Sequence, residues 1–251
     1  MFNSSVPSQS TQNNNNVNSL NCQEGTYSYT KQNITSLHKV LSPARLSTYI
    51  KLAESDTESA LRLYKWNIEL GQSLHMPFQT LEVALRNTIS EALKQHFDKK
   101  WYDHAGFRTI LDNKWAKPEL EKAILSKKRK RHQVEAGDII SELNFGFWRE
   151  MLKGRYESHI WRREQLISSF RYIPNDKNRQ NIYNSIDTIV KLRNRISHHE
   201  PILCNKPRFI YEDALKVIGW ICPDTKAWVK YHCEFDAIVQ NCPSSIKSKF
   251  D

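Results

Sequence analysis

The residues of this chain that could do chemistry are concentrated in the stretch from Lys191 to Pro201. It reads Lys-Leu-Arg-Asn-Arg-Ile-Ser-His-His-Glu-Pro, and so brings cations, an amide, a hydroxyl, imidazoles and a carboxylate close together. Because the residue before a proline is disfavoured in the α region, a helix entering this stretch is predicted to end near His199. The dipole of a helix favours a protonated imidazole at its C-terminus. The stretch is therefore suited to acid–base chemistry on an anionic substrate. A solvated polar helix end is the alternative interpretation.

The spacing within the stretch decides which side chains can meet. Residues four apart share a helix face, which pairs Asn194 with His198 and Arg195 with His199. Arg193 and His198 are five residues apart, about 140° around an ideal helix, and do not converge unless the last turn distorts. They can converge if two copies of the helix meet across a two-fold axis and each supplies part of one cleft. The spacing therefore points to a composite site in a homodimer.

These groups are suited to the cleavage of RNA. One imidazole removes the proton of a ribose 2′-hydroxyl, whose oxygen attacks the adjacent phosphate, and another group protonates the departing 5′-oxygen. An arginine neutralises the charge that develops on the phosphorane. Glu200 either orients His199 by hydrogen bonding or offsets the local positive charge. The reaction requires no metal, and we expect neither a metal nor another cofactor.

Charge and composition indicate a globular helical protein with an anionic partner. The 251 residues include 37 Lys and Arg against 27 Asp and Glu, which gives a net charge of +10. Such a surplus favours nucleic acid as the partner, with an anionic membrane surface as the second choice. Glycine is scarce, with 7 residues, and alternating strand-like patterns are hard to find. Both observations favour an all-α fold.

Cysteine usage and hydropathy predict a cytoplasmic protein. The five cysteines form no CxxC pair, and their odd number argues against a disulfide framework. The spacing of Cys222, Cys233 and Cys242 with His232 matches no common zinc site, so we interpret these cysteines as buried free thiols. The sequence contains neither an apolar run long enough to span a membrane nor a secretory signal.

Composition divides the chain into a tail, one domain and a short end. Residues 1–36 are rich in Asn, Ser, Gln and Thr, and bury too little apolar surface to offset the entropy of ordering. We predict that they form a disordered tail. A single helical domain is predicted over residues 37–243, followed by a frayed C-terminus over residues 244–251.

Apolar spacing and capping residues predict the helices that position the reactive stretch. Ser55 to Glu58 is typical of a capping box with Ser55 at the N-cap, which begins a helix that extends to about Ser73. Pro77 is predicted to begin the next helix, of about twenty residues. The segment 174–176 is predicted to cap the helix that ends in the reactive stretch. Its buried stripe is predicted to consist of Ile182, Ile186, Ile189 and Val190.

Aromatic residues around Gly146 are predicted to pack between helices. Gly137 and Asp138 indicate a helix start, and an apolar stripe follows at helical spacing as far as Met151. A glycine among aromatic residues favours a close approach of two helices. Stacking of these rings on RNA bases is the functional alternative.

Cationic residues outside the reactive stretch are candidates for contacts with RNA phosphates. A dense basic run precedes His132, and further arginines follow Trp161 among aromatic residues. A solvated helix face is the alternative for such a run. The candidate RNA-binding residues are Lys127, Lys128, Arg129, Lys130, Arg131, Arg162 and Arg163.

The reactive stretch also carries a family resemblance. Arg193-Asn194 followed by three residues and His198 resembles the RNxxxH motif of the HEPN superfamily of helical ribonucleases. The longer segment 192–202 resembles the Abi-like (abortive infection) family of bacterial phage-defence proteins. Further similar segments occur in the same order at 63–67, 81–87 and 145–148, and the resemblance covers about residues 38–242.

The resemblance implies a HEPN-type helical bundle with additional helices, and a metal-independent endoribonuclease that acts as a toxin in phage defence. It implies Arg193 and His198 as the catalytic pair, Asn194 as their polar neighbour, and Arg195, His199 and Glu200 as possible supporting residues. The alternative is a non-catalytic RNA-binding HEPN module that acts through a partner or a guide or antitoxin RNA.

The resemblance also bears on the number of sites and on partners. The Arg86-Asn87 segment has Glu91 where a histidine would be needed, so it cannot form a second complete site. This again favours a homodimer. We expect an RNA substrate, an antitoxin or regulatory RNA or protein as a possible further partner, and no membrane partner.

Overall fold

Every regular element in the part of the chain that the structure describes is a helix. The computed structural model describes residues 27–129 and 133–243, and the all-α prediction is confirmed for these residues. The α-helices are α1 (Lys31–Leu41), α2 (Pro43–Leu52), α3 (Thr57–His96), α4 (Ala105–Ile110), α5 (Ala116–Lys128), α6 (Ala136–Glu142), α7 (Phe145–Glu150), α8 (Arg163–Ser169), α9 (Arg179–Ser197), α10 (Pro207–Ile221), α11 (Pro223–His232) and α12 (Phe235–Gln240). Short 3-10 helices cover Trp101–Asp103 and Gly154–Tyr156. None of the described helices is long and apolar enough to cross a membrane.

The 40-residue helix α3 is the element on which the others are assembled. It packs against α2, α7, α8, α9, α10, α11 and α12, and its apolar residues follow helical spacing. The side chains completely buried along it include Leu63, Leu70, Leu74, Leu81, Leu85 and Ile89. Since α9 packs against α3, α7 and α10, the helix that carries the reactive stretch is fixed from several sides.

Pro77 lies inside α3 and does not begin a new helix, so that prediction is wrong. A proline has no N–H, and the carbonyl of Ser73 therefore lacks its usual intrahelical donor. The thiol of Cys233 donates a hydrogen bond to this carbonyl, with an Sγ–O distance of 3.3 Å. Pro77 itself is buried. Apolar packing on both sides of Pro77 and this contact from the residue after α11 keep α3 a single helix.

The residues that cap α3 and α9 also differ from the prediction. Asp56, rather than Ser55, is the N-cap of α3, and its carboxylate accepts from a backbone N–H of the first turn. Ser55 has φ 75° and belongs to the turn after α2. Helix α9 is capped by Asn178 instead of residues 174–176, through a reciprocal pair of hydrogen bonds with Asn181. Each of these two helices therefore begins after the residue whose side chain accepts a hydrogen bond from an N–H group of the first turn.

The buried stripe predicted from residue 139 to Met151 is present, but two helices carry it. The break occurs because Asn144 caps α7, with its Oδ1 accepting from the N–H of Phe147 at 3.0 Å. Gly146 lies against Trp115, and a Cβ built at Gly146 would be 3.6 Å from that ring. The close approach of two helices that was expected at Gly146 is therefore not observed: the neighbour is the side chain of Trp115, which precedes α5, at an ordinary van der Waals distance.

The remaining predictions concern the α9 stripe and the ends of the chain. Ile182, Ile186, Ile189 and Val190 are all buried, as predicted. Helix α1 begins at Lys31, within the segment for which the composition predicts a tail. The predictions for residues 1–26 and 244–251 lie outside the described residues.

Candidate active site

The reactive stretch lies at the C-terminal end of α9 and in the turn that follows. Helix α9 ends at Ser197, and His198 is its C-cap, with its N–H donating to the carbonyl of Asn194 at 2.9 Å. His199 has φ 56°, in the left-handed region. The prediction that the helix ends near His199 is confirmed. Both imidazoles are exposed to solvent.

The turn is a Schellman motif. The N–H of His199 donates to the carbonyl of Ile196, and the N–H of Glu200 donates to the carbonyl of Arg195, each at 2.9 Å. This is the pair of bonds that defines the motif, and it places His199 where glycine is usual. For a residue with a side chain, a left-handed conformation costs on the order of 1–3 kcal/mol of free energy. The surrounding structure must therefore supply contacts that hold this turn.

Side chains from two other helices hold the turn. Arg45 on α2 donates from Nη1 to the carbonyl of His199 at 2.6 Å. Asn67 on α3 accepts from the N–H of Ile202 at 2.9 Å, and this contact is buried. The turn is thus fixed at His199 and again three residues later, on opposite sides of Pro201.

Arg195, at the end of α9, makes further contacts that stabilise the turn. Arg195 donates from Nη2 to the carbonyl of Pro201 at 3.1 Å, and the same atom lies 3.4 Å from Glu200 Oε2. The sequence left open whether Glu200 orients His199 or offsets positive charge. The observed ion pair with Arg195 favours the second role. Arg195 and Glu200 therefore support the turn rather than the imidazoles.

Arg193 is the cation of the predicted catalytic pair, and its guanidinium has contacts on two sides. Its Nη2 lies 3.6 Å from Glu82 Oε2 on α3, and its Nη1 donates to Asn194 Oδ1 at 3.4 Å. Its side chain is 42% exposed, so part of the guanidinium remains open to solvent. Within the described residues no hydrogen bond or ion pair joins Arg193 to His198.

Glu82 is a site residue that the sequence did not reveal. Its spacing predicts an ion pair with Arg86 on the same helix, whereas its ion pair is with Arg193. Burial raises the pKa of Glu82, and the guanidinium groups of Arg193 and Arg86 oppose this effect. The carboxylate thus lies in the field of two arginines, one from each of the two segments that contain Arg-Asn. No local pattern in the sequence indicates this contact, because it joins two helices that are far apart in the chain.

A groove of about 580 Å³ runs between α3 and the end of α9. Its floor is apolar where Gly71 of α3 lies against Ile196 of α9: a Cβ built at Gly71 would be in ordinary van der Waals contact with Ile196 Cγ2, at 3.5 Å. His75 brings a further imidazole to the groove, and the sequence analysis did not single it out. The lining residues are Tyr64, Asn67, Ile68, Gly71, Gln72, His75, Ile196, His199, Glu200 and Ile202.

Comparison with known families assigns the chain to one of them. Residues 23–203 match the sequence profile of the Abi-like protein family, and this match covers more than half of the chain. The chain belongs to the Abi-like protein family. The family suggests a role in abortive-infection defence. No curated protein and no solved structure matches the chain at a significant level.

The matched segment of this Abi-like protein contains the whole reactive stretch. The match begins before residue 38, where the resemblance was expected to start, and ends at residue 203, so the expected extension to about residue 242 is not part of it. Helices α10, α11 and α12 follow it in the chain. Of these, α10 packs against both α3 and α9, and so supports the site from outside the matched segment.

The predicted RNA-binding residues of the Abi-like protein differ in their exposure and in the contacts that they already make within the protein. Lys127 lies 2.9 Å from Glu142 in an ion pair, whereas Lys128 and Arg129 are exposed at the end of α5. Arg163 donates to two backbone carbonyls of the loop before α9, which gives it a structural role. Arg162 is exposed and donates to the carbonyl of Ser158. The predictions for Lys130 and Arg131 lie outside the described residues.

The cysteines of the described part are free thiols, as predicted, but they are not all buried. Cys204 is exposed, while Cys222, Cys233 and Cys242 are half-buried. Hydrogen bonding from Thr225 lowers the pKa of the Cys222 thiol, and burial raises the pKa of the Cys233 thiol. No group of three or more His, Cys, Asp or Glu side chains in these residues is placed to hold a metal ion.

Proposed function

We propose that this Abi-like protein is an endoribonuclease of the HEPN superfamily, which cleaves RNA without a metal at a site formed by two copies of the α9 C-terminal turn. The observation that carries the proposal is the Schellman turn, because it presents two adjacent exposed imidazoles at the C-terminus of the helix that also carries the partly exposed Arg193. Contacts from α2 and α3 hold this turn in a conformation that costs free energy. Strained, well-supported backbone of this kind is typical of functional sites.

The side chains of the turn match the steps of RNA cleavage by the 2′-hydroxyl. A neutral imidazole accepts the 2′-hydroxyl proton, and the 2′-oxygen attacks phosphorus and displaces the 5′-oxygen, which receives a proton from a second group. The products are a 2′,3′-cyclic phosphate and a 5′-hydroxyl end. Arg193 stabilises the negative charge on the phosphorane, and the Asn194 amide donates to a phosphate oxygen. Each positioned proton transfer contributes on the order of 10²–10⁴ in rate.

The proposed site requires a second copy of the chain. Arg193 is held on the side of α9 that faces Glu82, whereas His198 is at the C-cap, five residues further along. Two α9 ends related by a two-fold axis can place Arg193 of one copy opposite His198 of the other. The partly exposed Arg193 and the exposed imidazoles leave the surfaces that such an arrangement needs.

In the cell this activity would restrict growth once infection triggers it. An enzyme that cleaves cellular RNA is harmful to its host unless it is restrained, and a regulatory RNA or protein that covers the turn would provide that restraint. The net charge of +10 favours association with RNA in either role.

The test is RNA cleavage by the purified full-length protein and by His198→Ala. We expect wild type to leave 2′,3′-cyclic phosphate ends and His198→Ala to lose activity by on the order of 10²–10⁴, with an unchanged melting temperature because the imidazole is exposed. His159→Ala is the matched control, since His159 is also exposed and lies outside the turn. A His198→Ala protein that cleaves as fast as wild type would exclude this mechanism.

The exposed basic residues of α5 support one alternative, a module that binds RNA without cleaving it. Such a module would bind RNA with a steep dependence on salt concentration, because phosphate contacts release counterions. It would leave the RNA intact in the same end-mapping experiment. The two functions are therefore separated by a single measurement.

A further inference from the structure

We propose that Glu82 is the positioning residue of the catalytic arginine, and that the Leu81–Asn87 segment of α3 serves this purpose instead of forming a second active site. The inference rests on the proposed nuclease activity, because it assigns a role to a residue that acts through Arg193. It also gives a function to the second Arg-Asn dipeptide, which the nuclease mechanism alone leaves unexplained.

The contact between the two helices carries the inference. Glu82 Oε2 lies 3.6 Å from Arg193 Nη2, and Asn194 Oδ1 accepts from Arg193 Nη1 on the other branch of the guanidinium. An arginine side chain has many rotamers, and fixing it in solution costs entropy. An ion pair on one nitrogen and a hydrogen bond on the other restrict the orientations that the guanidinium can adopt. Because the Arg193 side chain is 42% exposed, part of the guanidinium remains accessible to a phosphate.

The exposed fractions of the two side chains indicate which member of the Glu82–Arg193 pair is held in place by its surroundings. The Glu82 side chain is only 20% exposed, whereas Arg193 is 42% exposed. Glu82 extends from α3, the helix against which most of the molecule packs. The carboxylate is therefore held by the scaffold, and the guanidinium is the outer, adjustable member of the pair. This is the arrangement expected of a positioning residue behind a group that contacts substrate.

Arg86 completes the arrangement. It follows Glu82 by one helical turn, and its positive charge acts on the Glu82 carboxylate together with that of Arg193. When Arg193 turns towards a phosphate, Arg86 still favours the ionised form of Glu82. The Arg-Asn dipeptide of α3 thus provides a counter-charge for the positioning carboxylate and needs no histidine beside it.

The burial of Glu82 affects how its charge contributes to stability. Burial raises its pKa, which means that the folded protein binds the proton of this carboxyl more tightly than the unfolded chain does. Stability from this group is complete below the unfolded pKa and is lost as pH rises through the folded pKa. Near neutral pH the ionised carboxylate therefore disfavours folding, and its replacement by a neutral amide should not destabilise the protein.

The test compares Glu82→Gln, Glu82→Asp and wild type in the full-length protein. For Glu82→Gln we expect kcat for RNA cleavage to fall about 10–100-fold, because misplacing a group in the transition state has effects of this size. The melting temperature at neutral pH should be equal or higher, and KM should be unchanged, because RNA binding uses the remaining cationic surface. Glu82→Asp keeps the charge and should recover part of kcat.

Glu91→Gln is the matched control. Glu91 lies on the same helix, is exposed, and forms an ion pair with Lys94 at 3.3 Å. Its replacement by Gln therefore removes the same negative charge as Glu82→Gln does, but at a different place on the helix from the contact with Arg193. We expect wild-type kcat for this variant. A Glu82→Gln protein with wild-type kcat would overturn the inference, and so would a loss of kcat that occurs only together with a lower melting temperature.

A second readout separates this inference from the proposed activity. Hindered rotation of the Arg193 guanidinium can be followed by nitrogen-15 NMR of its side chain. We expect distinct Nη signals in wild type that merge in Glu82→Gln and remain distinct in Glu91→Gln. If wild type cleaves no RNA, the proposed function fails while the Arg193 signals still decide whether Glu82 positions this arginine. Identical signals in wild type and Glu82→Gln would overturn the positioning role even in an active enzyme.

Discussion

His199 has a backbone conformation that a residue with a side chain rarely adopts. It follows the C-cap of α9, its carbonyl accepts from Arg45, and its side chain lines the groove beside α3. A glycine at this position would satisfy the Schellman motif without strain. Histidine is one of the few non-glycine residues that adopt this conformation with some frequency, and here it also brings an imidazole to the turn.

This interpretation predicts a difference between His199→Gly and His199→Ala. Glycine removes the left-handed penalty of roughly 1–2 kcal/mol, but its greater freedom in the unfolded chain costs about 0.5–1 kcal/mol. His199→Gly should thus be more stable than His199→Ala by up to about 1.5 kcal/mol. Urea unfolding of both variants measures this difference directly.

Both variants lose the imidazole and should lose RNA cleavage to a similar extent. Equal stability of the two variants would mean that the turn relaxes when the side chain is removed. Full activity of either variant would show that His199 supports only the structure of the turn.

At the scale of elements, the sequence predicted where α9 ends but not how α3 continues through Pro77. The end of α9 is determined locally, by a proline and by the capping bonds around it. The continuity of α3 depends on Cys233, which is far away in the sequence, and on burial along the whole helix. Local signals therefore predicted the first feature, and only the tertiary structure could show the second. The contact of Glu82 with Arg193 was missed for the same reason.

The link between Pro77 and Cys233 can be tested with a double-mutant cycle. Cys233→Ala removes the donor to the Ser73 carbonyl and should destabilise the wild-type background by about 1 kcal/mol. In a Pro77→Ala background the alanine N–H can donate to that carbonyl, so Cys233→Ala should cost less. Denaturant unfolding of the four proteins gives the coupling free energy.

Cys204→Ala serves as the control in this experiment, since Cys204 is an exposed free cysteine. It should leave stability unchanged in both backgrounds. Additive effects of Pro77→Ala and Cys233→Ala would contradict the view that the thiol replaces the lost helical bond.

At the scale of the whole molecule, the question is how many chains form one site. The all-α fold, the end of α9 and the Abi-like family were predictable from the sequence, because helical spacing, the proline and the ordered motifs are local patterns. Residue spacing also predicts that Arg193 and His198 of one chain are directed apart. Whether two chains bring them together depends on an interface that spacing does not describe.

Mixing two inactive variants tests the shared site. In a dimer of Arg193→Ala with His198→Ala, one of the two composite sites keeps both an arginine and a histidine. If equal amounts exchange subunits freely, half of the dimers are mixed, so about a quarter of wild-type activity should return. RNA cleavage before and after mixing measures the recovery.

Each variant alone should remain inactive, which controls for residual cleavage. A sample of His198→Ala alone, at the same total protein concentration as the mixture, controls for the effect of concentration. A mixed sample that stays inactive although the variants form mixed dimers would place both residues of each site in one chain.

The position of α3 in the chain has a consequence for synthesis on the ribosome. Its apolar face is complete once residue 96 is made, but it packs against α9, α10 and α12, which come much later. Trp66, for example, donates to the carbonyl of Ile238, 172 residues further along. At the usual speed of translation the intervening chain takes on the order of 10–30 s to appear. A nascent chain must therefore leave the part of α3 that contacts α9, α10 and α12 uncovered for this time, and Asn67 cannot hold the turn that bears His198 until Ile202 has been made.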